Sequence, residues 1–128
     1  MAPLAAIIAA LTVIRSFPFL LSARTLKPAR SSSESVRQLT TDQLTAAQRE
    51  AGRLFLEGQG WGYGGSVDIA TLEPWNVLGR YGWIGGTGTA AHITAATGAI
   101  SILLTQLEMS GPTPPALMRE FWRYAAQQ

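Results

Sequence analysis

Tyr81-Gly-Trp-Ile-Gly-Gly-Thr-Gly-Thr89 is the stretch that decides the fold, and four of its nine residues are glycine. Glycine removes side-chain bulk, so the backbone can approach another group closely or take a positive φ. Two further runs follow at residues 90–94 and 100–105, with Thr97-Gly98 between them. The pattern predicts a glycine-rich strand, a second strand, a tight turn and a third, apolar strand. The glycines either mark where a ligand meets the backbone or make only bulges and turns.

Upstream, residues 60–69 alternate large side chains with small ones. The large ones are Trp61, Tyr63, Val67 and Ile69, and the small ones are Gly62, Gly64, Ser66 and Asp68. A period of two is typical of a β-strand, so we predict one strand over residues 60–69. Its aromatic residues either belong to the core or form a platform that binds a sugar or a peptide. Residues 71–78 predict a loop before the next strand.

Helix start signals flank the predicted strands. Ser31-Ser-Ser-Glu34 and Thr45-Ala-Ala-Gln48 have capping-box spacing and predict two short surface helices. Near the C-terminus, Thr113 is the predicted N-cap and Pro114 the first helical residue. An apolar stripe at helical spacing follows, made of Leu117, Met118, Phe121, Trp122 and Ala125. We therefore predict an α+β fold, with antiparallel strands near residues 60–69, 80–95 and 99–106 and the C-terminal helix packed on one face of the sheet.

Composition limits the classes of function. The chain has 128 residues, which suits one domain, and a formal net charge of +2. Its basic residues are few and scattered, so we expect no nucleic-acid partner. There is no cysteine, which excludes disulfides, a cysteine nucleophile and a zinc–thiolate site. A single histidine, His92, cannot build a metal site alone, and we expect neither a metal nor a cofactor.

The N-terminal segment is apolar from Ala2 to Ile14 except for Thr12, and Arg15 ends the run. As a helix it would span about 20 Å, less than the roughly 30 Å hydrocarbon core of a membrane. Three interpretations of residues 2–21 stay open: a buried or loosely docked helix, a signal or membrane anchor, and sequence without a native role. The localisation stays open: cytoplasmic, or membrane-associated or exported if residues 1–23 act as a signal or anchor. We expect residues 1–30, which end in a polar linker, to contribute little to the fold.

Five segments between residues 31 and 124 occur in an informative order. They are Glu34-Ser-Val-Arg-Gln-Leu-Thr-Thr-Asp-Gln-Leu-Thr45, Gly60-Trp-Gly-Tyr-Gly64, Gly79-Arg-Tyr-Gly-Trp-Ile-Gly-Gly-Thr-Gly88, Leu103-Leu-Thr-Gln106, and Pro114-Pro115 with Met118-Arg-Glu-Phe-Trp-Arg-Tyr124. In these segments the chain resembles the C-terminal part of the serine β-lactamase and penicillin-binding-protein-like hydrolases, in the esterase and peptidase branch related to class C β-lactamases. Residues 31–128 would form this portion, while residues 1–30 do not match the family. The resemblance implies a sheet that N-terminal strands complete and a helical region that carries the nucleophile.

The resemblance also implies a substrate site. In the family, a Lys-Thr-Gly motif or a His-Thr-Gly or Trp-x-Gly variant lies on the sheet strand beside the nucleophile. Here it would fall on Trp83-Ile84-Gly85, with the N–H of Gly86 as an oxyanion-hole donor and Gly85 letting an ester or peptide substrate lie along the strand. Trp83 would stand where the family has Lys or His, and it offers stacking and an N–H donor without a positive charge. This departure, with Ile84 in place of Thr, favours an esterase or peptidase over a β-lactamase.

Two motifs of the family are absent from the sequence. The only lysine is Lys27, and Arg24 stands three residues before it, so there is no Ser-x-x-Lys. Tyr-x-Asn and Ser-x-Asn are absent as well. Ser66 and Ser101 lie in predicted strands without a readable base, and His92 is expected at the surface or as a satisfied core residue. We therefore assign no catalytic residue.

Two functions from different classes follow. The first is a C-terminal fragment of a serine hydrolase that is inactive alone. The alternative is a small non-catalytic interaction protein that pairs through a sheet edge, and a membrane-tethered form of either is a third hypothesis. We expect strands near residues 61–69 and 100–105 to keep unpaired edges, so the chain is also expected to self-associate.

Overall fold

The structure is a computed structural model that describes residues 12–15 and 33–127. The strands of this part are β1 (Thr12–Arg15), β2 (Gly60–Trp61), β3 (Ser66–Val67), β4 (Arg80–Gly85), β5 (Thr89–Thr94) and β6 (Ala99–Leu104). The helices are α1 (Ser33–Leu39), α2 (Ala46–Ala51), α3 (Arg53–Leu56) and α4 (Ala116–Ala125).

The described strands form one antiparallel sheet in the order β1-β6-β5-β4-β3-β2. Its centre is the meander β4-β5-β6, which the glycine-rich stretch and the two runs after it predict. Gly88 and Gly98 take positive φ, +88° and +69°, in the turns that join these strands. A residue with a Cβ is strained in that region, which explains glycine at both turns. The predicted α+β class and antiparallel sheet are confirmed.

The N-terminal segment contributes a strand, which corrects our expectation for residues 1–30. β1 pairs antiparallel with β6, with Thr12 opposite Ile102 and Arg15 opposite Ala99. The helical interpretation is therefore wrong at residues 12–14, where three consecutive β-branched residues favour a strand. The expected open edge at β6 is wrong too, because β1 covers Ala99 to Ile102. The pairing also crosses the boundary predicted at residue 30.

The remaining interpretations of residues 2–21 lie outside the described residues. Among the helices of the described part, none is long and apolar enough to cross a membrane.

The predicted strand over residues 60–69 is instead a short hairpin. β2 pairs antiparallel with β3, with Trp61 opposite Ser66. The Gly62 N–H donates to the Gly65 carbonyl at 2.9 Å, and Gly64 has φ +93°. The glycines that suggested an alternating strand are therefore the ones that let the chain reverse.

The helices at residues 33–56 follow the predicted start signals. Thr45 and Gln48 form the predicted capping box: the Gln48 N–H donates to Thr45 Oγ1 at 3.3 Å, and the Thr45 N–H donates to Gln48 Oε1 at 2.8 Å. The first predicted helix is α1, although residues 31 and 32 of its proposed cap lie outside the described residues. The four-residue helix α3 was not predicted, because it has no side-chain cap to announce it.

The C-terminal helix begins two residues later than its start signal predicts. Pro115 is the N-cap and Ala116 the first helical residue, so Thr113 and Pro114 lie outside the helix. A proline disfavours the helical conformation in the residue before it, so Pro115 keeps Pro114 out of α4. Met118 and Trp122 of α4 pack with Ile84, Ala90 and Leu103 in the apolar core. The prediction that this helix covers one face of the sheet is confirmed.

Candidate functional site

The strand β4 has two halves with different neighbours. β3 pairs with Tyr81 and Gly82 only, whereas β5 pairs with the whole of β4. The Arg80 carbonyl accepts a hydrogen bond from the Asp68 N–H at 2.9 Å, so Arg80 directs its backbone groups toward β3. Alternate residues of a strand face the same neighbour, so Ile84 directs its N–H and carbonyl to that edge as well. β3 has ended by then, and no described strand pairs with Ile84 there.

An open cleft of about 660 Å³ borders this unpaired half. Trp83, Ile84 and Gly86 line one side of it, and Phe55 and Glu108 are among the residues that complete the wall. Three of the four residues predicted for substrate binding therefore share one cleft. Gly85 is not part of the lining. A Cβ at Gly85 would come within 2.6 Å of Thr89 Oγ1, so the β4–β5 hairpin requires a small residue at position 85.

Gly86 combines open space with a free donor. Its carbonyl accepts a hydrogen bond from the Met109 N–H at 2.8 Å, which fixes the peptide. Its own N–H forms no hydrogen bond with a described residue. A Cβ at this position would meet nothing within 4 Å. A carbonyl oxygen of a ligand in the cleft can therefore approach this N–H.

Trp83 is held in place by other aromatic rings. Its ring centroid lies 4.5 Å from that of Trp61 in an edge-to-face arrangement and 4.9 Å from that of Phe55. Such pairs contribute about 0.5–1.5 kcal/mol beyond the area they bury. Trp61 therefore supports Trp83 through packing, whereas Tyr63 is exposed, so the core interpretation does not hold for both strand aromatics. Phe55 was not predicted, because it lies on α3.

Ile84 lines the cleft although the residue is only 9% exposed. It packs in the core with Met118 and Trp122. A threonine hydroxyl at this position would face the same apolar neighbours. The sequence therefore has a structural reason for Ile here, and a ligand can use only the N–H and carbonyl of this residue.

The described hydroxyl and imidazole groups do not form a nucleophile and base. Ser66 Oγ donates to the Gly82 carbonyl at 3.1 Å. Ser101 lies directly opposite His92 in the sheet, but no hydrogen bond joins the two side chains. Burial, with a smaller contribution from the positive charge of Arg80, lowers the pKa of His92 to about 3. This shift makes His92 a weak base near neutral pH.

His92 itself differs from expectation. It is neither a surface residue nor a satisfied core residue: it is 3% exposed, and its Nδ1 has no hydrogen-bond partner among the described residues. Its ring lies edge-to-face on Trp122, with centroids 5.3 Å apart. A Cβ at Gly82 would lie 2.7 Å from the His92 Cα, so glycine opposite His92 is required for the strands to pair.

A buried ion pair lies at the other half of β4, which runs from Arg80 to Gly82. Asp68 is 1% exposed, and Arg80 Nε lies 3.0 Å from its Oδ2. The carboxylate also accepts hydrogen bonds from Gln59 Nε2, Asn76 Nδ2 and the Val77 N–H at 2.7, 3.1 and 2.8 Å. Burial lowers the pKa of the Arg80 guanidinium, and Asp68 opposes that shift. Arg80 Nε and Nη2 have no well-aligned acceptor among the described residues, so the attraction of opposite charges has a large part in holding the pair.

A second, smaller cavity of about 110 Å³ lies between β4, β5 and α4. Its lining includes His92, Trp122, Trp83, Phe55, Trp75 and Arg119. The sequence analysis assigned α4 to the core alone and so missed this cavity. Trp122 Nε1, like His92 Nδ1, has no partner among the described residues.

Metal chemistry has no support in the described part of the chain, where no group of three His, Cys, Asp or Glu side chains could hold an ion. Compared with known protein families and with curated proteins, the chain matches none. The function must therefore be argued from the chemistry of these two sites.

Proposed function

We propose that the chain is the C-terminal portion of a serine β-lactamase-like hydrolase, and that it supplies the strand along which an ester or peptide substrate lies. The observation that carries the proposal is the unpaired half of β4 beside an open cleft. No described strand pairs with Ile84 on this side, and no described residue pairs with the N–H of Gly86, so these groups can bind an extended acyl group.

In this function the N–H of Gly86 binds the carbonyl oxygen of the substrate. During acyl transfer that oxygen becomes an oxyanion, and one preorganised donor stabilises the transition state by about 3 kcal/mol. The bond from Met109 to the Gly86 carbonyl holds the peptide in place before substrate arrives. Trp83 offers its ring face to an apolar substrate group. Trp83 carries no positive charge, so it provides no ion pair for an acidic substrate group.

The attacking serine and its base are not supplied by these residues. The sequence has neither Ser-x-x-Lys nor Tyr-x-Asn, the Ser66 hydroxyl is engaged with Gly82, and His92 is too weak a base. The chain therefore binds the acyl group without cleaving it.

A second candidate function uses the same edge. A strand from a partner protein would pair with the free backbone groups of Ile84 and extend the sheet. The observation that favours it is that β3 pairs with Tyr81 and Gly82 only, and no other described strand pairs with this half of β4 on that side. The two functions differ in what is bound: an acyl carbonyl at Gly86, or an extended strand whose affinity grows with its length.

A matched pair of Gly86 variants tests the first function. Gly88 donates to the Gly85 carbonyl at 3.0 Å, which makes Gly86 the second residue of a tight turn, and its φ is not positive. Proline is favoured at this position, so Gly86→Pro removes the N–H and leaves the turn intact. Gly86→Ala keeps the N–H and serves as the control. We expect N-acetyl-Ala-Ala-N-methylamide to shift the backbone amide resonances of Ile84 and Gly86, with about tenfold weaker binding in Gly86→Pro than in Gly86→Ala.

Three outcomes decide between the candidates. Equal binding to both variants, or no shift at Ile84 and Gly86, would overturn the acyl-binding proposal. Binding only of a longer hexapeptide would favour the partner-strand function instead. We also expect no turnover of p-nitrophenyl acetate above a heat-treated control, and turnover that labels a serine with a fluorophosphonate would show that a nucleophile is present after all.

A further inference from the structure

The smaller cavity lies where β3 stops pairing with β4. Ser66 is the residue of β3 nearest the unpaired half of β4: it lies opposite Gly82, and it lines this cavity. Ile84 lines both this cavity and the open cleft, as do Trp83 and Phe55. A ligand that pairs with Ile84 would therefore continue the line of β3 and lie beside the cavity.

Strand pairing determines the face to which such a ligand directs its side chains. Residues directly opposite each other share a face of the sheet, and so do alternate residues of one strand. Ser66 lies opposite Gly82, so its side chain shares a face with that of Ile84. Ile84 packs on this face with Met118 and Trp122 of α4. A ligand residue opposite Ile84 directs its side chain to the same face, where Ser66 and Trp122 line the cavity.

We propose that this cavity is the pocket for the side chain of the ligand residue opposite Ile84, and that it selects a branched aliphatic side chain. The proposal rests on the proposed function in one respect, which is the pairing of an extended ligand with Ile84. The volume of the cavity is about 110 Å³. Since a dry cavity of about 150 Å³ holds benzene, this pocket suits an aliphatic side chain of three or four carbons and is too small for an indole ring.

The polar side chains of the lining are already engaged with other residues. Ser66 Oγ donates to the Gly82 carbonyl at 3.1 Å. Gln59 Nε2 and Asn76 Nδ2 donate to Asp68 Oδ1 at 2.7 and 3.1 Å. A hydrogen-bonding ligand side chain would have to compete with these partners, so the apolar part of the lining favours an aliphatic one. That part includes Phe55, Leu72, Trp75 and Trp83.

The charges of the lining disfavour an acidic side chain. Arg119 Nη2 is paired with Glu57 Oε1 at 2.7 Å, and Arg119 Nε donates to the Pro114 carbonyl at 3.0 Å. Glu73 also lines the cavity, and it forms no ion pair with a described residue. A ligand carboxylate would therefore meet a like charge at Glu73, while the guanidinium of the lining is already engaged.

Dipeptides that differ in one side chain provide the test. The two series are N-acetyl-Xaa-Ala-N-methylamide and N-acetyl-Ala-Xaa-N-methylamide, in which Xaa is alanine, leucine, aspartate or tryptophan. We expect the leucine ligand to bind at least about tenfold more tightly than the other members of its series, as measured at the backbone amide resonance of Ile84. Because alternate side chains of an extended chain face opposite sides, this preference should occur in one series and not in the other.

Two exposed leucines of the protein give a matched pair of variants. Leu72 is 65% exposed and lines the cavity, whereas Leu54 is 69% exposed and lines neither the cavity nor the cleft. Leu72→Ala should weaken binding of the preferred leucine ligand about threefold and leave binding of the alanine ligand unchanged, because only the longer side chain loses an apolar contact. Leu54→Ala should change neither affinity.

The outcomes separate this proposal from the acyl-binding function. Equal affinities within both series, a preference for aspartate or tryptophan, the same preference in both series, or equal effects of the two leucine variants would each overturn the pocket. If Gly86→Pro still weakens binding in that case, the acyl-binding function stands without the pocket. If the leucine preference occurs but Gly86→Pro binds as tightly as Gly86→Ala, the pocket stands and the acyl-binding function fails. Absence of binding by every ligand would overturn both.

Discussion

The two halves of β4 differ in which neighbouring strands pair with their backbone groups. The half from Arg80 to Gly82 is paired on both sides and lies beside the buried ion pair with Asp68. Among the described strands, only β5 pairs with the half from Trp83 to Gly85, which lies beside an open cleft. The first half is therefore buried and paired through charge, whereas the second half keeps an edge with which no described strand pairs.

The glycines of the stretch follow the same division. A Cβ at Gly82 would lie 2.1 Å from the Ala91 carbonyl oxygen, so glycine is required there for packing. A Cβ at Gly86 would meet nothing within 4 Å, so packing does not require glycine there. The structural interpretation of the glycines therefore applies at Gly82. The ligand-binding interpretation stays a proposal for Gly86.

The largest effect is expected from breaking the anchored half at Asp68. Asp68→Asn leaves the buried Arg80 charge without its anionic partner. It also replaces one carboxylate oxygen by an NH2 group, which cannot accept hydrogen bonds from the neighbouring N–H donors. Removing one partner of a buried pair typically costs about 3–5 kcal/mol, so we expect the free energy of unfolding to fall by that amount. Urea denaturation followed by circular dichroism measures it.

The control for Asp68 is an exposed ion pair. Arg53 Nη1 lies 3.5 Å from Glu50 Oε1 at the surface. Glu50→Gln should leave the midpoint of denaturation unchanged, because exposed pairs contribute little. If both variants unfold at the same urea concentration, the Asp68–Arg80 pair does not anchor β4.

The next effect is a pH dependence that comes from His92. Its pKa is about 3 in the folded protein against an ordinary value of 6.5, so the unfolded chain binds more protons between these values. The free energy of unfolding should therefore fall as the pH is lowered, with a slope approaching about 1.4 kcal/mol per pH unit and a loss of about 2 kcal/mol between pH 7 and pH 5.

Denaturation at several pH values checks this dependence. Carboxylates titrate mainly below pH 5, so the chosen window isolates the histidine. His92→Phe removes the titrating group and keeps a ring against Trp122, and its stability should be flat between pH 7 and pH 5. The same slope in both proteins would mean that another group is responsible.

The sequence predicts the centre of the fold better than its margins. The meander was predictable because glycine turns and apolar runs are local signals, and the capping box at Thr45 is local too. The ion pair between Asp68 and Arg80 was not, because tertiary packing rather than spacing brings the two residues together. Phe55 was missed because a four-residue helix has no periodicity, and β1 because an apolar run of mostly alanine and isoleucine suggests a helix as readily as a strand.

A smaller effect is expected at the edge strand β1. The Thr105 N–H donates to the Gly88 carbonyl on the β5 side, so by alternation Ile100 and Ile102 direct their backbone groups toward β1. Ile14 lies opposite Ile100, and its N–H therefore faces β6, while that of Val13 faces away. Ile14→Pro removes a ladder hydrogen bond and Val13→Pro does not. We expect Ile14→Pro to be less stable than Val13→Pro by about 1 kcal/mol.

Sedimentation velocity extends the test of β1. Without β1 the edge of β6 is free, and an unpaired apolar edge is a template for association. Ile14→Pro should therefore sediment with more oligomer than Val13→Pro. If the two proline variants agree in stability and in sedimentation, the register of β1 on β6 is wrong.

The smallest change in stability is expected at Gly86, and it sharpens the contrast between the halves. Gly86→Ala places a methyl group in open space, so its free energy of unfolding should stay within about 0.5 kcal/mol of the unaltered protein. Gly82→Ala forces a methyl group against the Ala91 carbonyl and the His92 backbone, and should lose about 1–3 kcal/mol or more. Urea denaturation of both variants under identical conditions gives the difference. Similar losses at the two positions would mean that Gly86 is packed as tightly as Gly82, and the open half of β4 would then have no room for a ligand.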